Sequence, residues 1–235
     1  YEQLLDLVPA KEIIVTADRF IDGMQLFHIG TKTSEVMCKY WERELIGLFH
    51  CIGKRYLYDR QHVNQVERLS LLMFDKLAKH YGMGERERLL LRGAAILHDL
   101  GKFVCMRSHS IYSYQLIMAT DIIGFSDRDK KIIALAAYYH ANKLFEAGNA
   151  NAPVIEKDMV AVVAKLAAII RLADALDRSY LQKIRQCSVT IKDKIMYVQA
   201  TSKKDLALEE WTFTSKANFF EEVYGLEAVL ERVND

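Results

Sequence analysis

Proline is nearly absent from this sequence, with two residues, Pro9 and Pro153, among 235. Little therefore interrupts long helices, because proline removes an amide donor and clashes with the preceding turn. Cysteine is sparse too. The four residues, Cys38, Cys51, Cys105 and Cys187, lie far apart and form no CxxC pair. This excludes a disulfide-stapled scaffold and, with no recognisable signal peptide, reads as reduced thiols in a cytoplasmic protein. No apolar run approaches the roughly 20 residues that span a bilayer, so a membrane partner is not expected. Charge of one sign is missing as well: Lys+Arg number 32 against Asp+Glu 31, a net charge of +1. A broadly basic surface for nucleic acid or anionic lipid is thereby excluded, and an anionic ligand must be met locally, by a metal or a few placed cations. What is present, 51% hydrophobic and 27% charged residues at a mean hydropathy of −0.03, is the composition of a folded globular domain. The chain opens on Tyr1 rather than Met, so it is expected to be a piece of a longer protein or a trimmed one.

Periodicity predicts a mainly α protein. A helix over Glu2–Val8 and a strand over Lys11–Ala17 read as the end of an α/β unit, since a lone strand needs a partner sheet. From Thr33 the period becomes helical: Val36, Tyr40, Ile46, Phe49 and Ile52 form a stripe behind a Thr33 or Ser34 cap. A second helix is predicted over Arg60–Tyr81, with Val63, Val66, Leu69, Met73 and Leu77 on one face and Gly82 and Gly84 closing it. A third runs from Glu85 to Leu100 with Gly101 as a left-handed stop, and a fourth from Ser110 to Thr120. Ser126 and Asp129 make a capping box for a fifth helix reaching about Leu144. A sixth is expected over Lys157–Tyr180, past the polar loop EAGNANAP. Then the period drops to two in SVTIK and IMYVQAT, a hairpin turning at Asp193-Lys194, followed by a helix over Leu208–Tyr224 and a strand over Leu226–Val233.

Three places carry chemistry. ILHDLGK puts His98 and Asp99 at a helix end, followed by Lys102. That pair is either a metal site or a capped helix end with a hydrogen-bonded imidazole. Asp174, in IIRLADALDRS, continues the apolar spacing of Val163, Ala167 and Ile170. Buried, it needs a cation; on a solvated edge it would pair with Arg178 at i, i+4. His62 stands beside Val63 and Val66, as a ligand or as a core histidine. Together His62, His98, Asp99 and Asp174 offer two imidazoles and two carboxylates, an N/O set suited to Mn, Fe, Mg or Zn with positions left for water.

The order H…HD…D on helices resembles the HD superfamily of metal-dependent phosphohydrolases. The resemblance implies that His62, His98, Asp99 and Asp174 are metal ligands. His109, opening HSIYSYQLI, and His140, ending AAYYH, fit the binuclear H…HD…H…H…D pattern and imply a second metal or a phosphate-contacting pair. His28, His50 and His80 match no position of it. The segments YQLIMATDIIGFSDRDKKIIALAAYYH, KLAAIIRLADALDRSY and LALEEWTFTSKANFFEEVYG resemble the C-terminal half of the exopolyphosphatase/guanosine pentaphosphate phosphohydrolase family. IIVTADRFIDGMQL is similar to the end of that family's actin-like N-terminal domain. Two departures stand out: Tyr112 occupies a place where another histidine is expected, and Phe20-Ile-Asp-Gly23 replaces the family's usual L-R-E-G.

The expected architecture is a helical HD-type bundle at 30–182, a small α+β appendage at 183–235, and a remnant of an actin-like domain at 1–29. The expected activity is hydrolysis of phosphoester or phosphoanhydride bonds with one or two divalent ions. Asp99 would orient the nucleophile, while Lys102 and Arg178 would hold phosphate oxygens, Arg suiting bidentate contact. The substrate would be a phosphorylated small molecule, a nucleotide or polyphosphate, with no sequence-specific nucleic acid as partner. The alternative is a regulatory nucleotide- or polyphosphate-binding and dimerisation module, in which Trp211, Phe213, Phe219 and Phe220 pack against a second subunit. With the actin-like domains absent, little action on long polyphosphate is expected.

Overall fold

The computed structural model describes residues 20–141 and 152–233. The helix over Glu2–Val8, the strand over Lys11–Ala17 and the end of the fifth helix near Leu144 fall outside the described residues. The chain divides into two units at Glu44/Leu45. The first contains α1 (Phe20–Thr33) and the start of α2 (Glu35–Arg55), with Phe27 and Trp41 in an edge-on contact at 5.1 Å. A helix at Phe20 is not predicted by the sequence, whose apolar residues there, Ile21, Met24, Leu26 and Ile29, are exposed. The stripe on α2 is real only in its second half: Ile46, Phe49 and Ile52 are buried, whereas Val36 and Tyr40 are exposed.

The second unit is a helical bundle. It comprises α3 (Arg60–Tyr81), α4 (Glu85–Leu97), a 3-10 turn (Leu100–Phe103), α5 (His109–Met118), α6 (Asp127–Tyr139) and α7 (Val160–Ala175). Asp59 caps α3 by accepting from the amides of Gln61 and His62, and Gly82 ends it at φ +63°, a left-handed position that favours glycine. The predicted face of Val63, Val66, Leu69, Met73 and Leu77 is fully buried. At α6 the capping box forms as the sequence predicts: the Ser126 hydroxyl accepts from the Asp129 amide, and the Asp129 carboxylate accepts from the Ser126 amide. The central helix is α7. It buries Val163, Leu166, Ala167, Ile169, Ile170, Leu172 and Ala173 around its girth, as a helix packed on several sides must; its neighbours include α3, α4, α6 and α8.

Two helix ends differ from expectation. The predicted sixth helix stops at Ala175, because Asp177 and the turn after it take up side-chain hydrogen bonds instead. The predicted third stops at Leu97, and Gly101 is not a left-handed stop: among the described residues the glycines with positive φ are Gly82, Gly124 and Gly225. Gly101 is needed for closeness. A Cβ there would lie inside contact distance of the His109 carbonyl oxygen and the Ser113 amide nitrogen. The Gly101 amide donates to Ser113 Oγ at 2.8 Å, and that hydroxyl donates to the His98 carbonyl at 2.7 Å. The start of α5 is thereby docked on the end of α4.

The appendage is a three-stranded sheet with one helix. β1 (Gln186–Lys192) and β2 (Ile195–Thr201) form the predicted antiparallel hairpin. Its turn residues Asp193 and Lys194 both take positive φ, +50° and +63°, the twist that suits two-residue hairpins. α8 (Ala207–Tyr224) then crosses over to β3 (Glu227–Val233), which pairs with β2 in parallel, Ile195 opposite Glu227. Phe213 and Phe220 of α8 are core residues, while Trp211 is exposed and Phe219 lies under the Arg171 guanidinium at 4.8 Å. The molecule is thus mainly α, a helical bundle with a small α+β appendage. No helix among the described residues is long and apolar enough to cross a membrane.

Candidate metal centre

Six elements of the second unit, five helices and the 3-10 turn, meet at one place. α3 supplies His62 from its first turn. His98 and Asp99 come from the end of α4, and Lys102 from the 3-10 turn. His109 opens α5, His140 ends α6, and Asp174 is in the last turn of α7. All of them except Lys102 and His109 are buried.

The imidazoles are held alike. Nδ1 of His98 lies 2.8 Å from the Ala95 carbonyl, Nδ1 of His109 3.0 Å from that of Met106, and Nδ1 of His140 2.5 Å from that of Ala137. His62 Nδ1 lies 2.9 Å from Asp177 Oδ2. Carbonyls and carboxylates only accept, so each Nδ1 carries a proton, and each ring turns its Nε2 inward, where its neutral form presents a lone pair. Those four nitrogens surround two carboxylates. His62 Nε2 is 3.4 Å from Asp174 Oδ1 and 3.6 Å from Asp99 Oδ2. His98 Nε2 is 3.4 Å from Asp99 Oδ2 and 3.9 Å from Asp174 Oδ1. On the other side of Asp99, Oδ1 is 3.5 Å from His109 Nε2 and 4.0 Å from His140 Nε2. Asp99 therefore stands between the pairs.

Nε2 of His62 and of His98 are buried without a hydrogen-bond partner, an arrangement that costs free energy unless something positive binds there. His109 and His140 set Nε2 against Nε2 at 3.3 Å; both rings neutral, that is lone pair against lone pair. Burial pulls both of these histidines below their ordinary pKa, and the Lys102 ammonium acts in the same direction on His109. The donor atoms of His62, His98 and Asp174, and those of His98, Asp99 and His140, lie within 4.8 Å of one another. These residues fit a divalent cation in chemistry and orientation, and the nitrogen-rich set suits Mn, Fe or Zn better than Mg.

The electrostatics agree. Burial alone would raise the Asp99 and Asp174 carboxyls, but the groups facing them hold both well below the usual range: His98, Lys102 and His140 at Asp99, and Lys216, His62, His98 and His140 at Asp174. Burial alone would lower His62, yet its contacts with Asp174 and Asp177 push it up to about 9. The cluster calls for positive charge at that position, which a divalent ion would supply in place of the proton.

His62, His98, Asp99 and Asp174 thus come together, with His109 and His140 alongside. Lys102 reaches Asp99 Oδ2 and the Tyr180 hydroxyl. Arg178 does not join them. It is exposed in the turn after α7, and the lysine facing Asp174 is Lys216 of α8, at 2.6 Å. Three contributors are missed by sequence reasoning. Asp177 orients His62 and also accepts from the Gln182 amide at 2.8 Å and from Gln182 Nε2 at 3.0 Å; its spacing of three from Asp174 was the available signal. Tyr180 stacks on His62 at 3.8 Å and donates to Asp99 Oδ2 at 2.6 Å. It does so from φ +59°, a strained backbone for a bulky residue. Lys216 had no local signal at all. Of the remaining histidines, His50 is half-buried against the Tyr58 hydroxyl at 2.9 Å, while His28 and His80 are exposed.

Residues 49–229 match the family model described as Ppx/GppA phosphatase, domain III. The chain belongs to the Ppx/GppA phosphatase family. The matched span of this Ppx/GppA chain runs from the buried half of α2 into β3 and contains the whole cluster, from His62 to Lys216. The family assignment agrees with the resemblance read from the sequence, and it places the chain among phosphatases.

Proposed function

We propose that this domain is itself a metal-dependent phosphohydrolase of HD type. The observation that carries the reading is the convergence of four inward-facing Nε2 atoms on two carboxylates, each imidazole oriented through its Nδ1. Histidines that serve only packing have no reason to share one tautomer and one target, whereas ligands to a metal do. His62, His98, Asp99 and Asp174 would hold one divalent ion, Mn, Fe or Zn. His109 and His140, with Asp99 as the shared carboxylate, would hold a second. An ion held by these residues would supply polarisation of a phosphoryl oxygen and a lowered pKa for a bound water near neutral pH.

The residues around it do the positioning. Asp177 keeps the His62 lone pair inward. Asp99 accepts from Tyr180 and Lys102 on Oδ2, so the carboxylate is held in one orientation between the two histidine pairs. Lys102, a quarter exposed at its side chain, is the cation able to turn from Asp99 to a phosphate oxygen. The substrate is a phosphorylated small molecule, a nucleotide or polyphosphate. Metal analysis of the protein equilibrated with Mn²⁺ should give two ions per chain, falling to one in His109→Ala/His140→Ala. Hydrolysis of nitrophenyl phosphate should be EDTA-sensitive and fall more than about 100-fold in Asp99→Ala. Equal rates in wild type and Asp99→Ala would refute the catalytic reading, and an intact metal content alongside them would mark a binding module.

A further inference from the structure

A lysine stands on each carboxylate of the cluster, and the two stand differently. At Asp174 the oxygens divide their duties: Oδ1 faces His62 and His98 at 3.4 and 3.9 Å, and Oδ2 accepts from Lys216 at 2.6 Å. At Asp99 the duties fall on one oxygen. Oδ2, which is 3.6 Å from His62 Nε2 and 3.4 Å from His98 Nε2, also accepts from Lys102 at 2.5 Å and from the Tyr180 hydroxyl at 2.6 Å. A carboxylate oxygen offers about two lone-pair sites, so those two donors fill it. An ion drawn in by His62 and His98 bonds Oδ2 only where one of them leaves.

The two donors are not equally free. Tyr180 stacks on His62 at 3.8 Å from a backbone at φ +59°. The turn that carries it is braced by Glu209, which accepts from the Ser179 amide at 3.2 Å. Lys102 ends a long flexible stem and is a quarter exposed at its side chain. It lines, with Tyr180, His62 and Asp99, a cavity of about 670 Å³ beside the cluster. We infer that Tyr180 is a positioning residue of the metal centre and Lys102 its displaceable partner: an ion held by His62 and His98 competes with the Lys102 ammonium for Asp99 Oδ2 and releases it into the cavity, while the Tyr180 hydroxyl keeps the carboxylate in place. The inference rests on the metal reading above and sets an order of events within it. The cavity gains a free cation for an anionic ligand only where the centre is filled.

The test follows the lysine itself by NMR relaxation, in the 235-residue chain carrying a carbon-13 label at lysine Cε. Zn²⁺ is the diamagnetic probe, and Lys102→Arg assigns the signal by removing it. The Lys102 Cε should be restrained before Zn²⁺ is added and markedly more mobile at saturation. In chelator competition Lys102→Met should bind Zn²⁺ about tenfold tighter than wild type, the size of one hydrogen bond to a charged group. Lys102→Arg, which restores the charge, should bind like wild type. Tyr180→Phe keeps the stacked ring and should bind no tighter; a thermal melt of each variant checks the fold. Unchanged mobility of Lys102 at Zn²⁺ saturation would overturn this inference. So would wild-type affinity in Lys102→Met, or tighter binding in Tyr180→Phe, since the tyrosine would then be the donor that leaves. Each of these results leaves the metal site standing. A wild-type chain that binds neither Zn²⁺ nor Mn²⁺ would instead refute the metal reading, and this inference with it.

Discussion

Asp177→Asn isolates the orienting step without removing a proposed ligand. The carboxylate accepts from three donors: His62 Nδ1 at 2.9 Å, the Gln182 amide at 2.8 Å and Gln182 Nε2 at 3.0 Å. Asparagine keeps one acceptor oxygen. If that oxygen stays toward His62, the new NH₂ faces the Gln182 amide, donor against donor, at a cost of about 1–3 kcal/mol for the unsatisfied pair. If it turns the other way, the NH₂ faces His62 Nδ1 and forces the ring to carry its proton on Nε2, where a metal would bind. Either outcome should weaken metal binding about 10–100-fold, equivalent to about 1.4–2.8 kcal/mol. Competition with a chromophoric chelator for Mn²⁺ or Zn²⁺ reads the affinity, and a melt of the metal-free protein reads the fold, with Tm falling about 2–4 °C per kcal/mol lost. A variant that keeps its fold and binds metal as the wild type does would show that His62 is not a ligand held by Asp177.

Lys216→Met leaves the buried Asp174 carboxylate without its lysine, destabilising the metal-free protein by about 3 kcal/mol; calorimetry should show a larger Mn²⁺-induced rise in Tm than in wild type, and equal rises would refute the pairing. Gly101→Ala drives a methyl group into the backbone of α5, so a loss of about 3 kcal/mol is expected, seen as a Tm lower by about 6–12 °C. Asp129 is held below the ordinary carboxylate range: burial opposes this, but the Ser126 hydroxyl and amide and the Arg86 guanidinium overcome it. Its folded pKa being the lower one, its stabilisation is complete above the unfolded carboxylate pKa and disappears as pH falls through the folded value. Urea melts of wild type and Asp129→Asn should therefore differ at pH 7 and converge in acid; a gap that persists in acid would refute this.

Much of the helical framework could be read along the chain because its signals are local. Gly82 closes α3, Ser126 and Asp129 open α6, and a run of period two marks the hairpin. What could not be read depends on residues far apart. Gly101 looks like a helix stop in sequence, and only the approach of α5 shows that its missing Cβ makes room for a neighbouring backbone. The order of His62, His98, Asp99 and Asp174 was visible, but the partner of His62 Nδ1 is 115 positions away, and Lys216 is 42 from Asp174. Arg178 was the natural guess for that carboxylate by helical spacing. It fails because α7 ends at Ala175, so the i, i+4 geometry never forms. The parallel pairing of β2 with β3 likewise has no local mark, since it depends on where α8 lays its chain.

That crossover helix ties the youngest part of the chain to the oldest part of the site. α8 sends Lys216 to Asp174, and its buried Glu209 accepts from the Ser179 amide at 3.2 Å and from Lys183 at 3.0 Å, bracing the turn that holds Tyr180. Contacts of such long range close late, after local helices have formed. During synthesis His62 and His98 emerge long before the helix that completes their surroundings. On the proposed metal reading, loading would be a final event of folding: ribosome-bound chains lacking α8 should hold a divalent ion weakly, and β3, by anchoring α8, would act as the latch on a centre built mostly from residues made far earlier.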